Sequence, residues 1–279
     1  MISEEKIREL KAFAADIRIA ALEAIHAVGI GHVGGAMSIC DLMACLYGYA
    51  MKYDPKNPKW EERDRLILSK GHAGPAMYAA LALKGYFPRE ELLTLNQPGT
   101  RLPSHTDMNR TPGVDMTTGS LGQGFSSGLG IAMGCKKKKL DSTVYIVLGD
   151  GECEEGQVWE CAIFAPAKGL TNVIAFVDYN KLQLCGTVEE VAGLKDIGGK
   201  FKAFGWNVLE VADGNDVAQI VQAIDSAKSE KDKPSMIILN TKKGKDCCFA
   251  EDVFNHNMTV SDEQFRQALD RLNACKAGL

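Results

Sequence analysis

Two short polar segments follow apolar runs and carry the residues best suited to bind a metal ion. Gly149-Asp150-Gly151 follows the run at 143–148, and Asn180 follows the run at 173–178. If both runs are neighbouring parallel strands, their carboxyl ends bring Asp150 and Asn180 together at the edge where ligands of open sheets bind. A carboxylate, an amide oxygen and a backbone carbonyl suit Mg²⁺, with diphosphate oxygens and water as further ligands. The alternative is a tight turn in which Asp150 caps the next helix.

Four of the five histidines lie in turn-rich segments: His32, His72, His105 and His256. Such loops carry function more often than they carry core packing. Imidazoles there would supply hydrogen bonds and proton transfer near neutral pH. A zinc cluster is the alternative, and it is disfavoured because none of the four has a partner at ligand spacing. His26 lies inside a predicted helix, where a packed or surface role is expected.

A third segment, residues 117–124 (TTGSLGQG), runs from a loop into the start of a helix built from small residues. Free N–H groups at a helix start favour an anion, and small residues permit its close approach. By itself this segment is also typical of an ordinary glycine-rich helix start.

The elements that must position these residues are indicated by hydrophobic periodicity. Apolar residues recur at steps of three and four over 4–28, with Ser3 as the N-cap and the glycines at 29 and 31 ending the helix. Further helices are predicted over 38–49, 75–84, 122–139, 155–168, 198–204, 215–229 and from Ser261, and strands over 143–148, 173–178, 207–211 and 236–240. Each apolar run is followed by a helical pattern, which indicates βαβ units.

The predicted fold class is therefore α/β, a doubly wound parallel sheet with helices on both faces. The 279 residues would form a single domain with a helical part over about 1–98, a loop-rich part over 99–120, a βαβ-rich part over 121–260 and a final helix over 261–275.

Composition and charge exclude several classes of protein. The chain is 46% hydrophobic and 24% charged, which argues against a disordered chain or a fibre. The formal net charge of −4 gives no broad attraction to nucleic acid or anionic membranes. Nine cysteines without CxxC spacing favour reduced thiols over a disulfide framework. The start of the sequence lacks the pattern of a signal peptide, and no run approaches a membrane span, so a cytoplasmic protein is expected.

Together, these segments resemble the N-terminal, diphosphate-binding half of transketolase. The resemblance covers almost the whole chain and is carried by Gly31-His32, the SKGHA segment at 69–73, residues 112–124, and Gly149-Asp150-Gly151 followed by Asn180. It implies a thiamine-diphosphate-binding domain of the PP type. It also implies an enzyme that uses thiamine diphosphate and Mg²⁺ to transfer a two-carbon ketol unit from a ketose phosphate to an aldose phosphate.

The resemblance assigns roles to individual residues. The metal ligands would be Asp150, Asn180 and the carbonyl of Leu182. The cofactor-binding residues would be His72, Gly119, Ser120, Leu121, Asp150, Gly151, Glu155 and Asn180. The catalytic residues would be His32, His105 and His256, which would meet the sugar near its carbonyl and first hydroxyl.

Four residues depart from the family pattern. Val33 and Thr106 stand where the family often has Pro after His, and Asn257 stands where Gly is expected after the last His. Tyr179 replaces an acidic or amide residue before Asn180. Different loop side chains are a signal of an unusual sugar, so the substrates are either the standard pentose phosphates or a less common ketose such as a branched ketose phosphate.

The resemblance places the family's glutamate that activates the aminopyrimidine of the cofactor in a further domain, which we expect a second chain to supply. The chain resembles the N-terminal subunit of split transketolases. We therefore expect its partner to be a C-terminal transketolase subunit, with the heterodimers pairing into a heterotetramer. The alternatives are a subunit like deoxyxylulose-phosphate synthase or 2-oxo-acid dehydrogenase E1, a non-catalytic binding homologue, and a nucleotide-binding Rossmann module, whose third glycine is missing after Gly149 and Gly151.

Overall fold

Five parallel strands form the central sheet in the computed structural model of this protein, which describes residues 2–251 and 256–279. In chain order the strands are β1 Ile30–Gly31, β2 Arg65–Leu68, β3 Val144–Gly149, β4 Val173–Tyr179, β5 Asn207–Val211, β6 Ser235–Asn240 and β7 Met258–Thr259. The sheet order is β2-β3-β4-β6-β5, and each neighbouring pair is parallel. β1 and β7 form a separate antiparallel ribbon.

Helices cover both faces of this sheet, which confirms the doubly wound α/β prediction. They are α1 Glu4–Val28, α2 Val33–Met37, α3 Cys40–Cys45, α4 Gly74–Leu83, α5 Gln123–Lys137, α6 Gly156–Ala167, α7 Val188–Val191, α8 Ile197–Ala203, α9 Val217–Ser229 and α10 Asp262–Ala277. Successive strand side chains point to opposite faces. On β3, Tyr145 and Val147 join the core beneath α1, α4 and α9, whereas Val144 and Ile146 join the core beneath α5, α6 and α8.

Local sequence signals set the ends of the longest helices. The Ser3 side chain accepts a hydrogen bond from the Lys6 N–H at 3.2 Å, and Gly29 ends α1 with φ of 81°. A left-handed residue at this position is typically glycine because it has no Cβ. At the other end of the chain, Ser261 and Gln264 form a reciprocal capping box that begins α10. These three predictions are confirmed.

Several elements of the structure differ from the sequence prediction, which lacks the β1–β7 ribbon, α2 and α7. The single helix predicted over 38–49 is α3 followed by a π-helical turn at Leu46–Ala50. In addition, the sequence pattern does not predict β2, because four residues after a charged segment are too few to show a period. β2 matters for the site, since it pairs with β3 and ends directly before Ser69-Lys70-Gly71-His72.

One long apolar stretch of the described chain is Val33–Ala50, which spans α2, α3 and the π-helical turn. Its 18 residues and mean hydropathy of 1.2 would suit a membrane span by length and composition, but 89% of the stretch is buried inside the fold. Core packing against α1 and α4 accounts for its composition.

Candidate active site

The carboxyl ends of β2, β3, β4 and β6 surround a cavity of about 240 Å³. Polar residues follow each of these strands, as expected for the ligand-binding edge of an open parallel sheet. Of the residues predicted to bind cofactor or metal, the cavity is lined by His72, Leu121, Asp150, Gly151, Asn180 and Leu182. It is also lined by two lysines that sequence reasoning missed, Lys70 and Lys243.

Asp150 serves both as a local cap and as a link between two strand ends. Its Oδ1 accepts a hydrogen bond from the Gly151 N–H at 2.8 Å, which caps the 3₁₀ turn Gly151–Glu154. Its Oδ2 accepts one from the Lys181 N–H in the loop after β4. Asp150 therefore caps the turn that follows it, as the tight-turn alternative predicts, and also contacts the loop after β4, as expected for the ends of neighbouring strands.

Three residues that line the cavity carry the predicted types of oxygen donor: Asp150 a carboxylate, Asn180 a side-chain amide oxygen and Leu182 a backbone carbonyl. The Asn180 Oδ1 accepts a hydrogen bond from the Leu182 N–H at 3.1 Å, which holds the loop in place. Hard oxygen donors of mixed type fit Mg²⁺. Within residues 2–251 and 256–279 no three His, Cys, Asp or Glu side chains are grouped to bind a metal, so an ion here depends on amide and carbonyl oxygens.

Asp178, at the end of β4, orients the groups around it, and sequence reasoning missed it. Its carboxylate is fully buried and accepts hydrogen bonds from Lys70 Nζ, Thr241 Oγ1, Ser38 Oγ at 2.7 Å and Asn180 Nδ2 at 3.2 Å. Because the amide nitrogen of Asn180 donates to Asp178, the orientation of the amide is fixed, and its oxygen keeps one lone pair beyond the hydrogen bond from the Leu182 N–H. The signal in the sequence was an acidic residue closing an apolar run.

Glu152 ties together three segments that surround the cavity. Its Oε1 accepts hydrogen bonds from Ser69 Oγ and from the Gly122 N–H at 2.8 Å, and its Oε2 accepts one from the Gly149 N–H at 3.0 Å. These partners lie after β2, before α5 and at the end of β3. The glycine-rich helix start is thereby held against the Gly-Asp-Gly turn.

Burial dominates the electrostatics of the cavity floor. Burial, with the nearby Asp178 carboxylate, raises the pKa of Asp150 to about 7, although backbone N–H groups and Lys70 favour its ionised form. Burial and the Lys70 ammonium lower the pKa of Lys243. A divalent cation next to Asp150 would favour the carboxylate. The Lys70 charge is paired with Asp178, so Lys243 is the lysine whose positive charge suits a diphosphate.

The four loop histidines, His32, His72, His105 and His256, form one group that we call the histidine cluster. Ring centroids are 5.6 Å apart for His32 and His72, 5.4 Å for His32 and His105, 4.9 Å for His32 and His256, and 4.4 Å for His72 and His256. His72 and His256 also line the cavity. The cluster therefore stands directly beside the predicted cofactor site.

Different elements deliver each member of the cluster. His32 begins α2 directly after β1, and His72 lies in the 3₁₀ turn after β2. The β1–β7 ribbon pairs Gly31 with Met258 and so carries the segment at His256 to His32. By contrast, His26 lies in α1, where its ring stacks on that of Phe265 with the ring centroids 4.1 Å apart. This contact agrees with the packed or surface role expected for His26.

The histidine cluster is neutral at pH 7. Burial, together with the other imidazoles, lowers the pKa of His32 to about 4, and burial with Lys243 and Lys70 lowers the pKa of His256 to about 4. Burial also lowers the pKa of His72 well below its ordinary value and lowers that of His105. A neutral imidazole both donates and accepts a hydrogen bond, which suits the hydroxyl and carbonyl groups of a sugar.

Three residues predicted to bind the cofactor do not line the cavity. Glu155 is exposed at the start of α6, and Ser120 is exposed before α5. Gly119 has φ of 152° and lies against His105, where an added Cβ would be 3.2 Å from the imidazole Cδ2. The structure thus does not bring Glu155 or Ser120 to the cavity, and their roles stay predictions.

Comparison with known proteins agrees with this geometry. The family model described as "Transketolase, thiamine diphosphate binding domain" matches residues 10–273. The chain belongs to the transketolase family.

Relatives of similar length are named as subunits. The chain is 53% identical over 97% of its length to the 6-deoxy-6-sulfo-D-fructose transketolase subunit SqwG of Clostridium sp. (strain MSTE9), of which it covers 98%. It is 36% identical over 89% of its length to an apulose-4-phosphate transketolase subunit of Phocaeicola vulgatus, of which it covers 88%. The expectation of a transketolase-type enzyme subunit is thereby confirmed.

The transketolase fold is also shown by solved structures. The crystal structure of transketolase from Campylobacter jejuni superimposes with a TM-score of 0.89 at 28% identity, over 99% of this chain and 46% of that one. This chain thus spans less than half the length of that transketolase.

The cavity residues fit the thiamine diphosphate that the family description names. Gly35, Gly149 and Gly151 line the cavity, and glycine lets backbone come close to a bound phosphate. At Gly35 an added Cβ would lie 2.9 Å from His72 Nε2, so the packing of His72 also requires glycine there. Lys243, Asp150 and Asn180 line the same cavity, and this mixture of a cation and hard oxygen donors fits a diphosphate and its metal ion.

Proposed function

We propose that this chain binds thiamine diphosphate and Mg²⁺ and, with a C-terminal partner chain, transfers a two-carbon ketol unit from a ketose phosphate or related anionic ketose to an aldose phosphate. One observation carries the proposal: the histidine cluster stands beside the cavity that holds Asp150 and Asn180. A binding-only homologue would have no use for neutral imidazoles grouped at the reacting end of its ligand.

Different residues of the chain would bind the metal ion and the diphosphate. Asp150, Asn180 and the Leu182 carbonyl would hold Mg²⁺, while Lys243 would offset part of the diphosphate charge. When bound, thiamine diphosphate supplies the carbon nucleophile that breaks and forms the carbon–carbon bond.

The histidine cluster would act on the sugar. Neutral His32, His105 and His256 would hydrogen-bond the carbonyl and first hydroxyl oxygens, and would accept or return the protons that these oxygens exchange. Low pKa values make the imidazoles weak bases, so they stay unprotonated until substrate charge develops nearby. Burial next to the cavity also limits competing water.

The names of relatives suggest substrates and partners. The 53% identity to a 6-deoxy-6-sulfo-D-fructose transketolase subunit makes that sulfonated ketose the first donor to test, next to xylulose 5-phosphate and apulose 4-phosphate. Relatives named as subunits support a C-terminal partner, and we propose a heterotetramer. The nine free cysteines suit a reducing, cytoplasmic compartment.

The test is a two-carbon transfer assay with Mg²⁺, thiamine diphosphate and an aldose phosphate. The chain is assayed alone and co-expressed with a C-terminal transketolase subunit. We expect transfer activity only when both chains are present. We also expect Asp150→Ala to lower the affinity for thiamine diphosphate at least tenfold, as measured by calorimetry. His26→Ala, outside the site, is the control and should bind normally.

Other outcomes would overturn parts of the proposal. Turnover by the isolated chain would contradict the need for a partner. Pyruvate decarboxylation without ketol transfer would favour the alternative like deoxyxylulose-phosphate synthase. Cofactor binding that depends on Asp150, with no transfer from any ketose, would favour a non-catalytic homologue.

A further inference from the structure

A small recess lies beside His32. Its volume is about 40 Å³, and the described polar residues that line it are His32, Asn96, Ser104 and Asn257. None of these four lines the 240 Å³ cavity, whereas His72 and His256, whose rings lie 5.6 and 4.9 Å from the His32 ring, do. His32 therefore connects this recess with the histidine cluster.

The β1–β7 ribbon explains why Asn257 lies there. The register pairs Ile30 with Thr259 and Gly31 with Met258, so the next step of the antiparallel pair sets His32 opposite Asn257. Cross-strand neighbours of this kind are within side-chain reach of each other. Ser104 comes from a different segment and directly precedes His105, another member of the histidine cluster.

The residues that depart from the family pattern differ in their surroundings. Val33 is fully buried in the core, and Thr106 is buried with its hydroxyl 2.7 Å from that of Thr118. Asn257 is exposed at the recess, and its side chain has no hydrogen-bonding partner elsewhere in the described chain. Packing thus accounts for two departures and leaves Asn257 free to contact a ligand.

We propose that this recess binds one hydroxyl group of the ketose chain beyond the reacting carbon, with Asn257 and Ser104 as hydrogen-bonding partners. The inference rests on the proposed ketol transfer. With the ketose carbonyl among the imidazoles, the rest of its chain leaves past His32 toward the recess. Asn257 is thereby a residue that determines donor specificity.

Size and charge restrict the ligand group. The recess is small, about 40 Å³, and its imidazole, amide and hydroxyl groups suit a hydroxyl group as ligand. No lysine or arginine is among the described residues that line it, so an anion would be unpaired there. The anionic end of the donor must therefore bind elsewhere.

The test compares two donors on the complex of this chain with its C-terminal partner. One donor is the ketose that the wild-type complex uses best. The other is hydroxypyruvate, which carries a ketol unit but no hydroxyl chain. We expect Asn257→Gly and Ser104→Ala each to lower kcat/KM for the ketose about 5- to 10-fold, as for one lost hydrogen bond, and to leave hydroxypyruvate within twofold. Asn109→Gly, in an exposed turn outside the recess, is the matched control.

Each outcome has a separate meaning. A selective loss with the ketose supports the recess as a hydroxyl site. Equal losses with both donors would assign Asn257 to the cofactor side or to folding, and unchanged kinetics would leave it without a substrate contact; both would overturn the inference. Wild-type complex that transfers from neither donor would instead contradict the proposed function.

Discussion

The buried pair of Lys70 and Asp178 offers the sharpest test of the energetics of this fold. Both side chains are almost completely inaccessible, at 1% and 0% exposure. Asp178 also accepts hydrogen bonds from Ser38, Thr241 and Asn180. In Asp178→Asn the shape is kept, but the Lys70 ammonium loses its counter-charge and an amide nitrogen meets groups that donate hydrogen bonds. Removing one partner of a buried pair costs about 3–5 kcal/mol, so we expect the free energy of unfolding to fall by that amount.

A double-mutant cycle identifies the cause. Replacing both charges with apolar or neutral groups is often nearly neutral, because no uncompensated charge remains. Lys70→Met combined with Asp178→Asn should therefore be less destabilised than the sum of the single variants by about 2 kcal/mol or more.

The measurement is urea unfolding of the purified chain without cofactor, followed by tryptophan fluorescence. Glu61→Gln, which breaks the exposed pair with Lys138, is the control and should cause no measurable change. An Asp178→Asn loss below about 1 kcal/mol, or strictly additive single effects, would refute the argument that the pair is energetically coupled.

Three further predictions concern stability. The folded pKa of His32, about 4, lies below its ordinary 6.5, so the stability this group contributes is complete above pH 6.5 and is lost as the pH falls toward 4. The urea midpoint should therefore decrease over that window, and it should decrease less steeply in His32→Asn. A pH dependence of the midpoint that is the same in His32→Asn would contradict this prediction. Gly128→Ala should destabilise the protein by about 1–3 kcal/mol, because the new Cβ would lie 2.6 Å from Ile146 Cδ1. Gly130→Ala on the same helix has nothing within 4 Å of its Cβ and should stabilise the protein by up to about 1 kcal/mol. Equal effects of the two variants in thermal melts would contradict the packing of α5 on β3. Ser261→Ala removes half of a capping box and should cost about 1 kcal/mol in urea unfolding, while no loss would show that α10 does not depend on its cap.

Much of the fold was predictable from short-range patterns. The step of three and four along α1, the cap at Ser3 and the end at Gly29 depend on residues within one or two helical turns. The buried runs of β3 and β4 indicate a parallel sheet because both of their faces must be apolar. Given that sheet, the meeting of Asp150 with the β4 end follows from topology alone.

The tertiary structure decided what lies around that meeting point. β2 is visible only through its pairing with β3, and the β1–β7 ribbon joins residues from opposite ends of the chain. That ribbon turns His32 and His256 into neighbours. No local pattern contains this information, because side-chain proximity across such separations depends on the path of every intervening element.

The same distinction applies to individual site residues. Asp150 and Asn180 were predictable because their types and positions after strands indicate their chemistry. Lys70, Asp178 and Lys243 were not, since a charged residue at a strand end is usually exposed, and only the closed core shows that these are buried. The sequence by itself therefore indicated the longer helices, the strands β3 to β6 and the candidate oxygen donors. The tertiary structure decided the charges that surround those donors and the histidine cluster that faces them, because burial and distance belong to the packed chain.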